Sequence, residues 1–356
     1  MIYSPIIIPT LNRVNHLRRC IDSLKNNSFS KKTELYVSVD FPPSNGRFSD
    51  GYEEVCKYAR TIDGFKRVYL FYQNTNLGPA ANSDFLIKII SEAGYDRYIY
   101  TEDDNEFSPN FIEFMDRGLT KFENNSSIVA ICASTFITKE DNLKNTYYVK
   151  PAFSARGYGT WLSKQDKLYK DIEGDYFKKF YSSLSMRYKV LRLRPNVYQA
   201  LSLDALEDNA VIRNENHDIR AIDDVWNLYC IIEKKYCVFP VVNMVRNWGQ
   251  DGSGVNCGII ECDPMNTPID DSKGFVFLNS ENTIRLSNRI IKNEVELRSV
   301  DIINTSMFRA ILVNIGKAYL SMRAFKRLSS TLHYFTKLKN EMAYRVINAS
   351  EMDSQS

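Results

Sequence analysis

Histidine is scarce in this sequence: three residues, His16, His217 and His333, in 356. So few imidazoles leave little material for a histidine-rich metal site. The seven cysteines are an odd number, scattered, with no Cys-x-x-Cys pair. That pattern argues against both a disulfide framework and a zinc ribbon, and a reducing compartment is the simpler expectation. Fifteen glycines and eleven prolines are too few for a collagen-like or linker protein. A net charge of +3, from 46 basic and 43 acidic residues, gives no whole-chain attraction to nucleic acid. Long apolar runs are missing as well. Ile6-Ile7-Ile8 is closed by Pro9, and no stretch reaches the roughly 18 apolar residues of a membrane-spanning helix. The expectation is a cytoplasmic chain that does not cross a membrane.

What the sequence does contain is core-forming material. Hydrophobic residues make up 44% of it, with 22 tyrosines and 20 phenylalanines, enough to bury a substantial core. Over the first 135 residues short apolar runs alternate with helical periodicity. Strands are predicted at Ser4 to Ile8, Glu34 to Val39, Arg67 to Tyr72, Arg97 to Tyr100 and Ile128 to Ala133. Between them, Leu17, Cys20, Ile21 and Leu24 share one helix face, and a second helix opens at Pro79. A third, capped by Ser108-Pro109, carries Phe111, Met115 and Leu119. This alternation predicts an α/β fold of right-handed βαβ units around a mostly parallel sheet. Beyond residue 135 the alternation weakens, with a helix at Ala221 to Ile232, a strand at Tyr236 to Val242 and a Gly-rich loop at Gly249 to Gly258. From about Glu281 the chain reads as helical.

Ligands of such sheets sit beyond the carboxyl ends of the strands. Three groups of residues fall there. The first is Glu102-Asp103-Asp104, directly after the strand ending at Tyr100. Hard oxygen ligands of this kind suit Mg²⁺ or Mn²⁺, usually one or two carboxylates together with substrate phosphates. With 43 acids in 356 residues a run of three is expected by chance about 0.6 times, so position and not composition makes it informative. The second group is Pro9-Thr10-Leu11-Asn12-Arg13 with Asp40, a turn and a carboxylate suited to a planar base or a ribose hydroxyl. The third is Asn74 to Asn82, where Gly78 permits close backbone approach and a helix N-terminus favours an anion. An ordinary helix-capping turn explains the second and third groups equally simply.

The order of these elements, an apolar strand followed by PTLNR, a strand ending in Asp, NTNLGPAANS and a strand ending in EDD, resembles the GT-A nucleotide-sugar glycosyltransferases. The resemblance is closest to the inverting family 2 enzymes that build bacterial polysaccharides, and it covers roughly residues 3 to 260. It implies a GT-A, Rossmann-like domain over 1–265, with a nucleotide-binding half (1–135) and an acceptor half (136–265). A helical C-terminal extension follows over 281–356. It also implies that Asp104 binds the metal, that Glu102 and Asp103 support it or the ribose, and that Asp40 holds the nucleotide. Pro9, Thr10, Asn12 and Arg13 then lie at the base, with Asn76, Gly78 and Asn82 nearby. Ala155 to Trp161 resembles the Gly-aromatic segment lining the donor pocket in a subset that includes N-acetylglucosaminyltransferase I, which places Gly157 and Trp161 at the sugar. Ala221 to Trp226 resembles that subset's helix start carrying the catalytic base. Two adjacent acids leave Asp223 and Asp224 as alternatives, with Asp223 favoured three residues before Trp226. Asn243 to Gly254 is similar to a mobile loop that closes over the donor. No histidine ligand is expected after it, because Asn256-Cys257 stands there.

The expected activity is metal-dependent, inverting transfer of a sugar from a nucleoside diphosphate, by likeness uridine diphosphate, to a hydroxyl of a glycan or lipid-linked acceptor. A catalytically inactive sugar- or partner-binding module is the rival from another class. A nucleotidyltransferase is the rival among enzymes, although PTLNR lacks the glycines of a phosphate loop. Residues 305 to 345 carry eight basic residues against Glu341 alone, interleaved with apolar ones. This stretch suits contact with an anionic membrane at its inner face, or a packed helical cap, and no nucleic-acid motif accompanies it.

Overall fold

The computed structural model describes residues 3–46, 48–135, 146–172, 183–193, 222–254, 268–272 and 280–297, together with Ile259, Phe275 and Phe277. The elements run β1 (Ile6–Thr10), α1 (Val14–Lys25), β2 (Glu34–Val39), α2 (Tyr52–Ala59), β3 (Arg67–Tyr72), α3 (Gly78–Glu92), β4 (Arg97–Tyr100) and β5 (Asn105–Phe107). They continue with α4 (Phe111–Lys121), β6 (Ile128–Cys132), β7 (Tyr147–Lys150), β8 (Tyr158–Trp161), α5 (Leu162–Asp171) and α6 (Leu184–Leu193). The last are α7 (Ile222–Ile232), β9 (Tyr236–Pro240), β10 (Val245–Asn247) and α8 (Ser280–Leu297).

Eight strands form one sheet in the order β3-β2-β1-β4-β8-β6-β9-β7. Helices cover both faces, which is why β1 can read as an unbroken apolar run. Ile6 and Ile8 pack with Leu17, Leu24 and Phe111 on one side, while Ile7 packs with Leu86, Ile90 and Tyr98 on the other. The α/β architecture and mostly parallel sheet agree with the sequence. Pairing is parallel for β1–β2, β2–β3, β1–β4 and β6–β9. Strand β8 runs antiparallel to both β4 and β6, and β7 antiparallel to β9.

The first strand extends to Thr10, two residues past the predicted end at Ile8, and so contains Pro9. A proline normally breaks a central strand because it donates no ladder bond. Here the carbonyls of Pro5 and Ile7 bond toward β4, accepting from Ile99 and Thr101. Pro9 faces the same way, beyond the last β1–β4 register pair at Ile7 and Tyr100, so its missing N–H is not needed.

Helix α8, the start of the predicted extension, is part of this core. Leu286 and Ile290 are buried, Ser287 accepts the Val149 amide at 2.9 Å, and Thr283 donates to the Tyr147 hydroxyl. The basic stretch 305–345 lies outside the described residues, and no described helix is long and apolar enough to cross a membrane.

Candidate active site

Parallel pairing brings the carboxyl ends of β2, β1 and β4 to one rim. Thr10 stands opposite Val39, and the Asp40 amide donates to the Thr10 carbonyl at 2.8 Å. The acidic triplet leaves β4 one step beyond Thr101. Its exit is fixed by the Asn105 carboxamide, which donates to the Thr101 hydroxyl at 3.1 Å, and by antiparallel pairing of β5 with β10.

Asp103 and Asp104 are 3% and 7% exposed. Two adjacent carboxylates that are nearly buried repel each other and lose hydration, so they need donors. Arg13 supplies them. Its guanidinium donates to Asp103 and lies 3.0 Å from Asp104 Oδ2. Thr10 Oγ1 donates to the second Asp103 oxygen at 2.7 Å, and Asn247 Nδ2 to the second Asp104 oxygen at 2.8 Å. Burial works against the Arg13 charge, but Asp103 and Asp104 outweigh it and hold the guanidinium protonated. Asp104 nonetheless remains above the usual carboxylate range, first through burial and then through Asp103.

Glu102 differs from its neighbours. The residue is exposed, yet its carboxyl is crowded by protein and by other carboxylates. That desolvation, followed by the charges of Asp104, Asp223 and Asp103, pushes its carboxyl up to about 8. Asp223, at the first turn of α7, is thereby tied to the triplet although about 120 residues separate them in the chain. The Ala155 amide donates to Asp223 at 2.9 Å, and Asn227 clasps the backbone of Phe153 through both its amide atoms. Asp224 is the half-buried neighbour of Asp223.

The Gly-rich segment after β10 is seated on the triplet. The Trp248 amide donates to the Asp104 carbonyl at 2.8 Å. A side chain at Gly249 would come within 2.1 Å of Asp104 Oδ2, so only glycine fits against that carboxylate. His16 from α1 lies 3.2 Å from both Asp251 Oδ2 and the Trp248 carbonyl, fastening the segment's far end. Asn247, Trp248, Gly249 and His16 are thus elements of the site whose individual parts sequence reasoning missed. The segment 243–254 drew attention for its glycines, but which residue would meet Asp104 depends on the β5–β10 register.

The remaining predicted residues are placed unevenly. Asp40 is 4% exposed and both its oxygens are engaged, by the amides of Phe41, Leu77 and Gly78 at 2.8 to 2.9 Å and by Asn76 Nδ2 at 3.3 Å. It therefore anchors the start of α3 at the rim. Gly78 adopts φ +78° with open space around it. Asn12 turns away to the Asp50 carbonyl, and Asn82 is buried against Ser38, tying α3 to β2. Gly157 sits at the rim end of β8, packed on Phe107. Trp161 is not brought to the cluster. It pairs with Arg97, the first residue of β4, at the opposite end of the sheet, where Lys164 lies 3.5 Å over its ring.

The donor set fits a divalent cation. Glu102, Asp103 and Asp104 act on the one Arg13 guanidinium and Asp223 acts on Glu102, a surplus of hard, negatively charged oxygens. Among the described residues no group of three or more acidic, histidine or cysteine side chains is placed to hold a metal ion by itself. That leaves the open arrangement in which phosphate oxygens complete the shell.

Solved structures that the chain is similar to include S. aureus TarS in complex with UDP-GlcNAc, at 15% identity over 39% of this chain and 36% of that one, with a TM-score of 0.29. Mouse xyloside xylosyltransferase 1 is 12% identical over 66% and 83% of the two chains, with a TM-score of 0.32. A cytidylyltransferase from Leptospira borgpetersenii is 10% identical over 51% and 69%, with a TM-score of 0.31. The chain thus spans only about a third of the length of that TarS structure. No curated protein matches the sequence. The profile described as Glycosyl transferase family 2 matches residues 6–184, half of the chain, from β1 through the acidic triplet to the start of α6. The chain belongs to glycosyl transferase family 2.

Proposed function

We propose that the enzyme transfers a sugar from a nucleoside-diphosphate sugar, uridine-linked, to a hydroxyl of a glycan or lipid-linked acceptor, with inversion. We further propose that it serves bacterial surface polysaccharide synthesis at the cytoplasmic face of the membrane. The observation that carries the reading is the convergence of Glu102, Asp103, Asp104 and Asp223, from two halves of the chain, on the rim beside Arg13 and Thr10.

Asp104, with Glu102 beside it, would hold Mn²⁺ or Mg²⁺. When bound, such a cation offsets the negative charge that develops on the departing diphosphate. Arg13 and Thr10 hold both Asp103 oxygens in place, and Arg13 adds a fixed positive charge next to the leaving group. Pro9, Asn76 and Gly78 shape the nucleotide end, and Asp40 serves it by fixing the Leu77 and Gly78 amides. Gly157 borders the sugar. Asp223 accepts the proton of the attacking hydroxyl as its oxygen bonds to the anomeric carbon. The bond to the diphosphate breaks on the opposite face, and its electron pair leaves with the diphosphate. Its link to Glu102 favours Asp223 over Asp224 as the base. The segment Trp248 to Ser253 excludes water that would hydrolyse the donor.

A thermal-shift screen against nucleotide sugars with Mn²⁺ tests this. A metal-dependent rise in Tm with a uridine diphosphate sugar is expected, and Asp104→Ala should remove it. Asp223→Asn should abolish transfer while donor binding stays within about twofold. Absence of any metal-dependent shift with every nucleoside diphosphate would reject the reading.

A further inference from the structure

The outward side of α1 and the neighbouring strand β5 flank an open groove of about 510 Å³ that the chemistry above does not use. Its walls carry Asn15, Arg18, Arg19, Asp22 and Ser23 of α1, Asn26 just past that helix, and Glu106 of β5. At its edge stands Trp248, 38% exposed, whereas Trp161 and Trp226 are 3% and 0% exposed. The indole is held in place. Arg19 lies 4.2 Å from the ring centroid and Glu106 accepts the indole N–H at 2.8 Å. An aromatic plate fixed in this way costs little entropy on binding a flat apolar face.

The groove's chemistry is balanced. Two guanidiniums, Arg18 and Arg19, face two carboxylates and two carboxamides, so the lining has no net charge with which to select a phosphate or a polycation. Among the described residues the Asp22 carboxylate and the Asn26 carboxamide make no hydrogen bond, so both are open to a ligand. A neutral ligand with many hydroxyls and one apolar face satisfies these groups, and a sugar ring has that composition. The groove also adjoins the cleft, because Trp248 bonds Asp104 through its amide while its ring faces the groove.

We propose that this groove binds a neutral oligosaccharide, the portion of a glycan acceptor that lies beyond the reacting hydroxyl. The proposal rests on the reading above that the acceptor is a glycan. Contacts remote from the reacting bond then help hold the acceptor in register for transfer.

Trp248 supplies the test, since the other two tryptophans are shielded and acrylamide-quenchable emission reports it. The full chain is titrated with cellotetraose, maltotetraose and chitotetraose, and with glucose and N-acetylglucosamine, without donor or metal. At least one tetrasaccharide should halve the quenching at saturation, while the monosaccharides leave it unchanged. Asp22→Ala combined with Asn26→Ala, and separately Arg19→Ala, should weaken that binding at least fivefold with Tm unchanged. Failure of every tetrasaccharide to shield Trp248, or shielding that survives both sets of substitutions, would overturn the proposal. The measurement needs no turnover, so a groove that binds tetrasaccharide in a protein inactive toward every nucleotide sugar would sink the transferase reading alone.

Discussion

Arg13 touches both Asp103 and Asp104, and this double contact lets two adjacent acids stand nearly buried at the rim. Removing one partner of such a pair costs more than the pair itself contributes, because the remaining charges lose their compensation. Arg13→Met should therefore destabilise the protein by about 3 kcal/mol. Millimolar Mn²⁺ should recover part of that loss by supplying the missing positive charge. Urea unfolding with and without the metal measures both effects, and a variant as stable as its parent would show that Arg13 does not neutralise the acids. Thr10, Arg13 and the triplet were legible because each lies within a few residues of a strand end that the sequence marks. Asn247 was not. It reaches Asp104 across 143 positions, through a ribbon three residues wide that no local pattern announces.

At the scale of elements, β8 is the instructive case. The segment Ala155 to Trp161 was legible as important, but a strand's direction does not appear in its own letters. Antiparallel pairing with β4 puts Gly157 at the rim and carries Trp161 to the far end, where it becomes core. Strands β2, β3 and β4 have the predicted boundaries because each is a short apolar run closed by turn residues. Strand β7 was missed altogether, since its place at the sheet edge depends on non-local pairing with β9. Gly157 also shows what the rim demands of an element. It has φ +71°, and a Cβ there would lie 2.7 Å from the Phe107 ring. Gly46, at φ +74°, has open space around it. Both alanine substitutions carry the backbone penalty of about 1 kcal/mol. Gly157→Ala should cost about 1–3 kcal/mol more, as Phe107 is pushed from its stack on Phe111. Paired denaturation curves isolate the packing part by difference, and equal losses would mean that the rim end of β8 is loosely packed.

Across the whole molecule, stability should carry a pH signature from a single acid remote from the cleft. Asp116 on α4 is fully buried, and one of its oxygens accepts the Ser4 amide at 2.9 Å, tying the chain ahead of β1 to the opposite helix layer. Burial raises its carboxyl to about 6, against an ordinary value near 3.8. Below pH 3.8 the group is protonated whether the chain is folded or not. Between 3.8 and 6 the folded state binds the proton more tightly, so stability falls as pH rises through that window and stays lower above it. Two units correspond to about 3 kcal/mol. Asp116→Asn keeps an oxygen for the Ser4 amide and removes the charge. It should raise stability by about 1–3 kcal/mol at pH 7.5 and change it little at pH 4. Urea unfolding at the two pH values decides the matter. A variant equally destabilised at both would mean that the ionised carboxylate, not merely the hydrogen bond it accepts, holds Ser4 to α4.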